Sequence, residues 1–369
     1  MKYYILVGEA SGDLHGANLM KSLLKEDPNA EIRFWGGDLM QEVGGTLVKH
    51  YKERAFMGFI EVLINLRKIL GMISFCKKDI AKFNPDVLIL IDNSGFNLRI
   101  AKWAKQQGIR TSYYISPQVW ASRAGRVKGI KRDVDEMFVI LPFEKEFYKK
   151  YDYDVNFVGH PLIDGIAGRK QIDELSFRKE HNLEDKEIIA LLPGSRKQEI
   201  TKMLSVMLSL VDDFPNYQFV VGGAPSQATA FYQEIIGDKN VKFISNKTYD
   251  LLSISHAALV GSGTATLETA LFKVPQVVCY KGSNISYQIA KRIITLEYIS
   301  LVNLIMEKEV VKELIQNDFT KENLKIELTK ILEEKQREQL FLDYFDLEQK
   351  LGGKGASEKT AKLIVEGLH

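Results

Sequence analysis

The sequence predicts an α/β protein of two doubly wound parallel-sheet domains facing across a cleft, with a C-terminal helical tail. Three observations carry that prediction. Apolar, β-branched runs alternate with helical ones throughout, both halves hold the same number of such runs, and a glycine-bearing strand–turn–helix passage opens each half. These passages are Val7-Gly8-Glu9-Ala10-Ser11-Gly12-Asp13 and Leu191-Leu192-Pro193-Gly194-Ser195-Arg196. Each sets backbone N–H groups at a helix start, where phosphate is favoured.

Taken in order, the first half predicts strands at 3–7, 32–35, 87–91, 111–115, 137–141 and 156–158. The second half predicts them at 188–192, 218–221, 241–244, 258–260, 276–280 and 298–301. Their near-continuous apolar character is that of strands buried on both faces. After Gly159-His160-Pro161-Leu162 the chain turns polar and helical, so the boundary is expected near Gly165. Domains are expected at 1–165 and 166–345, with 346–369 as the tail. The glycines at 352, 353 and 355 form a hinge before a last helix. That helix packs either on the first domain or on a partner subunit, giving a homodimer.

The 369 residues suffice for two cores, and 45% hydrophobic with 27% charged residues is ordinary for α/β proteins. A net charge of +2 weighs against a nucleic-acid binder. Cys76 and Cys279 lie far apart in apolar settings and are expected to be buried, reduced thiols. The first strand begins within three residues of Met1, leaving no room for a signal peptide, and a cytoplasmic location is expected. The run 56–75, with Met57, Ile60, Leu63 and Ile64, is too polar to span a membrane and too apolar for an ordinary surface helix. It is either a buried helix or an in-plane membrane and acyl-chain contact.

Ligands of open parallel sheets bind beyond the carboxyl ends of the strands. Four groups fall there: Glu9, Ser11 and Asp13; Asp92 and Asn93; Gly194, Ser195 and Arg196; and Gly261-Ser-Gly-Thr-Ala-Thr-Leu-Glu268. In the last, Gly263 and Thr264 let a ligand approach the backbone closely, and Glu268 either accepts from a ribose or completes a capping box. Arg196 opposes the helix dipole, at a cost of about 0.3–1 kcal/mol, which favours a shared anion over a solvated side chain. Asp92 and Glu9 are each either a general base or a helix cap. His160 reads as a structural residue at the interdomain turn. The basic segment with Arg123 and Arg126 after Trp120 suits an anionic acceptor or acidic headgroups. Six scattered histidines offer no metal site, and no cofactor is expected.

As an ordered set these motifs resemble the lipid-A-disaccharide synthase family, glycosyltransferases of the GT-B fold with two Rossmann-like domains. The resemblance runs through Gly8-Glu-Ala-Ser-Gly-Asp13, Met57-Gly-Phe-Ile-Glu-Val62, Ser116-Pro-Gln-Val-Trp120, Leu141-Pro-Phe-Glu-Lys145 and Phe157-Val-Gly-His160. It continues through Leu191–Arg196, Ser262–Glu268 and Tyr298-Ile-Ser-Leu-Val-Asn303. It implies inverting transfer of 2,3-diacylglucosamine from UDP-2,3-diacylglucosamine to 2,3-diacylglucosamine 1-phosphate, with peripheral association at the inner membrane. The implied donor site is Gly194–Arg196 and Gly263–Thr264 on the diphosphate, with Glu268 and Asn303 on ribose or uracil. Asp92 is the implied base, Glu9 the next candidate, and Ser11 a further substrate contact. Arg123 and Arg126 would meet the acceptor phosphate, while Met57, Ile60, Leu63 and Ile64 would admit acyl chains. Many relatives carry Asp-x-Pro-Asp-Phe-Asn where this chain has Asp92-Asn-Ser-Gly-Phe-Asn97, so no role of that second acid transfers to Gly95. The alternatives are a UDP-N-acetylglucosamine epimerase of the same fold and a non-catalytic UDP-sugar-binding protein.

Overall fold

The computed structural model describes residues 1–54, 66–282 and 297–368. Met57, Ile60, Leu63 and Ile64 lie outside the described residues. Among the described residues no helix is long and apolar enough to cross a membrane.

Two parallel sheets carry the fold. The first comprises β1 (Lys2–Leu6), β2 (Glu31–Gly36), β3 (Thr46–His50), β4 (Val87–Ile91), β5 (Thr111–Tyr114), β6 (Glu136–Val139) and β7 (Asn156–Phe157), in the order β3-β2-β1-β4-β5-β6-β7. The second comprises β8 (Glu187–Leu192), β9 (Tyr217–Gly223), β10 (Lys242–Ser245), β11 (Ser255–Gly261), β12 (Gln276–Tyr280) and β13 (Glu313–Ile315), in the order β10-β9-β8-β11-β12-β13. Each sheet begins at a central strand, grows outward one way, then crosses back beside that strand and grows the other way. The reversals lie between β1 and β4, paired Leu6 to Leu90, and between β8 and β11, paired Leu192 to Val260. Helices leave on opposite faces at such a point, and the gap they leave is where ligands enter.

Burial follows the pleat. Tyr4, Leu6, Leu88 and Leu90 pack on one face with Ile80 and Ile100, while Tyr3, Ile5, Ile89 and Ile91 pack on the other with Leu19, Leu23 and Ile364. Cys76 and Cys279 are both buried, and neither is in a disulfide.

Three elements depart from the sequence-based expectation. β3 is an edge strand of half-exposed residues, and β13 is only three residues long, so neither has an apolar signature. The expected strand at 298–301 is instead a turn ending in Ser300, whose Oγ accepts from Asn303 N and caps the helix Leu301–Met306. The sheet's last place goes to β13.

The chain divides into two compact units, residues 1–167 with 351–369, and residues 168–350. The helix Glu334–Lys350 runs through position 345, so the second unit extends past the expected boundary. The C-terminal helix Ala356–Glu366 lies in the first unit, where Ala361, Ile364 and Val365 join its core. Asp164 Oδ1 accepts from Gly355 N at 2.7 Å, and Leu351 O accepts from His160 N at 3.0 Å. His160 is buried, with its pKa pushed down to about 3 by burial, which fits its structural reading. The helix Leu66–Phe83 buries Ile73, Cys76 and Ile80 at helical spacing and leaves Leu70 and Phe75 half exposed.

Candidate active site

In the first unit, β1 and β4 end side by side and each continues into an acidic residue. Gly8 follows β1 at a point where a Cβ would stand 2.3 Å from Asn93 Nδ2, so only glycine lets the two strand ends close up. Glu9 then occupies the cap position of the helix Ala10–Glu26, but its side chain does not cap. Its Oε1 accepts from Ser11 Oγ at 3.0 Å. Asp92 is not a cap either, because Asn93 holds that position before the helix Ser94–Gln106. Glu9 lies near Asp92, and burial, then the nearby Glu9 charge, push the Asp92 carboxyl up to about 6. Neither side chain caps a helix, so the capping alternatives for both residues fall away.

Asp92 lines a cavity of about 330 Å³ with Ser94, Ser116, Gln118 and Glu144. Glu144 is buried on the helix Pro142–Lys149, accepts from Leu141 N at 2.9 Å and from Ser116 Oγ, and burial raises its pKa to about 7. It closes the inner wall. Arg123 and Arg126 are exposed and do not line this cavity. Asp13 is buried and accepts from Gly37 N at 2.7 Å and Leu39 N at 3.1 Å, so it anchors the helix Asp38–Val43 instead of serving a ligand.

In the second unit, a cavity of about 550 Å³ opens at the ends of β8 and β11. Gly194, Ser195, Arg196, Gly263, Thr264 and Glu268 all line it. Gly194 at φ +98° and Gly263 at φ +147° hold backbone shapes that side chains resist. Gly261 lies between them, where a Cβ would come within 3.2 Å of Gly194 N. The turn at Ser195 is tied down by Gln227 Nε2, which donates to its carbonyl at 2.8 Å. The helix Thr264–Leu271 starts at Gly263 with no side-chain cap, and Glu268 is its fifth residue, so Glu268 completes no capping box. Instead Tyr249 OH donates to Glu268 Oε1 at 2.7 Å, and burial raises the Glu268 pKa.

Two expected contacts look different in place. Arg196 is exposed and its Nη1 pairs with Glu199 Oε1 at 2.9 Å, so an anion would have to draw it away. Asn303 is fully buried: Nδ2 donates to Val311 O and Glu313 Oε1, while Oδ1 accepts from Val310 N and Val311 N. With every polar group engaged, it braces the turn before β13 and has none left for ribose or uracil. Tyr249 and Tyr113 had no signal in the linear sequence. Among the described residues, no group of three or more His, Cys, Asp or Glu is placed to hold a metal ion.

The sequence pattern of the lipid-A-disaccharide synthetase family matches residues 3–365. The chain is 41% identical over 371 residues to lipid-A-disaccharide synthase of Syntrophus aciditrophicus, covering 98% of this chain and 96% of that protein. To the enzyme of the same name from Geobacter metallireducens it is 38% identical, covering 99% and 96%. Among solved structures, the UDP-GlcNAc 2-epimerase of Neisseria meningitidis superposes with a TM-score of 0.67 at 15% identity, over 100% of this chain and 99% of that one. The glycotransferase of kitacinnamycin gives 0.68 at 12% identity, over 100% and 99%. At such identities these likenesses establish the fold, two Rossmann-like domains of the GT-B class. The near full-length sequence match goes further: the chain belongs to the lipid-A-disaccharide synthetase family.

Proposed function

We propose that the protein transfers 2,3-diacylglucosamine from UDP-2,3-diacylglucosamine to the 6-hydroxyl of 2,3-diacylglucosamine 1-phosphate, releasing UDP and the β(1→6) disaccharide 1-phosphate. Within the family's activity, the observation that carries the assignment of roles is Asp92 at the wall of the first-unit cavity, with the Glu9 charge nearby. A carboxylate that holds its proton to about pH 6 is a better base than an ordinary aspartate and is still ionised at neutral pH.

In this reading Asp92 takes the proton of the acceptor hydroxyl as its oxygen bonds to the anomeric carbon. The bond from that carbon to the diphosphate breaks on the opposite face, and its electron pair leaves with UDP. The charge that develops on the diphosphate is met by backbone N–H groups at Gly194–Arg196 and Gly263–Thr264, aided by Arg196. Glu268, held by Tyr249, accepts from the ribose hydroxyls. Ser11, beside Glu9, is a further substrate contact. The first unit is thus the acceptor side and the second the donor side.

The protein works in this reading at the cytoplasmic face of the inner membrane, and Arg123 and Arg126 meet the acceptor phosphate. Support comes from the exposed Leu70 and Phe75 on a helix that also exposes Arg67 and Lys78. The test is a product assay with both lipid sugars. UDP release that requires both substrates supports the transferase. A 2-epimer formed from UDP-N-acetylglucosamine alone would make it an epimerase, and UDP binding without turnover a binding protein.

A further inference from the structure

The Asp92 backbone stands at φ +46° and Asn93 at φ +45°, two successive non-glycine residues in the left-handed region. Such a turn persists only where its surroundings hold it. The hold is specific. Asn97, fully buried on the helix that follows, aims its amide nitrogen at Asp92 O at 2.9 Å, Ile91 O at 3.1 Å and Leu6 O at 3.4 Å. Tyr113, fully buried on β5, donates its hydroxyl to the same Asp92 carbonyl. On the other side of the residue, Asp92 N donates to Tyr114 O at 3.1 Å.

One side-chain nitrogen therefore touches the ends of both strands that carry the carboxyl pair: β1, which runs on to Glu9, and β4, which runs on to Asp92. We propose that Asn97 and Tyr113 are positioning residues for the transfer, which clamp the Asp92 backbone in its left-handed turn so that its carboxyl stays against Glu9 and faces the acceptor cavity. Neither touches substrate in this account. Both act through Asp92, and the inference rests on Asp92 being the base. Without the clamp the turn relaxes toward a common backbone shape, and the carboxyl swings toward water and away from Glu9. Removing burial and the neighbouring charge makes the group an ordinary aspartate again.

The experiment compares Asn97→Leu, Tyr113→Phe and Asp92→Asn with the parent enzyme, using saturating lipid sugars between pH 4.5 and 9. Tyr113→Phe keeps the ring and removes only the hydroxyl, so the test survives should Asn97→Leu fail to fold. The clamp predicts kcat lowered roughly 10–100-fold at pH 8, the size expected for a misplaced catalytic group. It also predicts donor KM and UDP affinity within about twofold of the parent, and an acid limb of kcat moved down by about half a unit or more. A lowered kcat with an unmoved acid limb, or wild-type turnover in the folded variants, overturns the clamp. If Asp92→Asn itself turns over normally, the base assignment falls and the clamp falls with it. If Asp92→Asn is inactive while the other two behave as the parent, only the clamp is lost.

Discussion

Asn93 lies directly over Gly8, its Nδ2 2.3 Å, Cγ 2.5 Å and Cβ 2.9 Å from where a side chain at Gly8 would begin. The contact joins the two chain segments that carry the carboxyl pair, because Glu9 follows Gly8 and Asp92 precedes Asn93. Gly8→Ala cannot be absorbed by turning the end of one side chain, since the Asn93 Cβ is in the way as well. It should cost about 1–3 kcal/mol of stability, the usual range for overpacking. It should also part Asp92 from Glu9 and lower kcat roughly 10–100-fold with UDP affinity unchanged. Urea unfolding and isothermal titration with UDP check the two halves separately.

How much of this was legible in the sequence depends on where a contact's partners lie along the chain. β1, β4, β8 and β11 are central and buried on both faces, so their composition announces them. β3 and β13, at sheet edges, are short or half exposed and look like loop. The acids and glycines of the site were visible because strand ends are visible. Their partners were not, because register and packing bring them in from elsewhere: Tyr249 reaches Glu268 from another helix, and Tyr113 reaches Asp92 from the next strand. Asn303 misled for the same reason, since the groups that use its amide lie seven to ten residues further on.

A Cβ at Gly95 would meet nothing within 4 Å. Gly95 is the second residue of the helix Ser94–Gln106, where negative charge suits the dipole. Gly95→Asp should therefore raise stability by about 0.3–1 kcal/mol, with glycine's chain entropy removed from the unfolded state as well. A urea midpoint shifted downward would show that the site has no room for the acid.

Arg196 and Glu199 form an exposed pair one helical turn apart, which competes with any phosphate for the guanidinium. Such pairs are worth about 0.2–1 kcal/mol. Glu199→Gln should release Arg196 and tighten UDP binding by up to roughly fivefold. Arg196→Ala should weaken it by about 1.5–3 kcal/mol, the value of a hydrogen bond to a charged group. Calorimetric titration of UDP reads both. Identical affinities in the two variants would take Arg196 out of the donor site.

Leu70 and Phe75 are 56% and 50% exposed on the helix whose other face buries Ile73, Cys76 and Ile80. Replacing both with glutamine leaves the buried face intact, so unfolding should change little. Sedimentation with vesicles containing acidic phospholipid should fall several-fold, because the apolar contact is lost while the basic residues stay. Unchanged sedimentation would show that these side chains do not meet lipid.

Asp92 couples activity to stability in opposite directions. The folded protein holds its proton to about pH 6, against 3.8 for an ordinary aspartate, so the native state binds more protons between those values. Stability therefore falls as pH rises through that window, and at neutral pH the ionised, half-buried group weighs against folding. Asp92→Asn removes this term and should stabilise the protein by about 1–3 kcal/mol at pH 7, with the gain disappearing below pH 4. The same variant should lose about 10²–10⁴-fold in kcat while binding UDP normally. Glu9→Gln should instead keep the base but remove the neighbouring charge, moving the acid limb of kcat below pH 6. Urea unfolding at pH 4 and pH 7, beside a pH–rate profile, checks all three outcomes. A variant destabilised at pH 7, or one whose stability gain persists at pH 4, would mean that the Asp92 carboxyl is not held at a raised pKa in the folded chain.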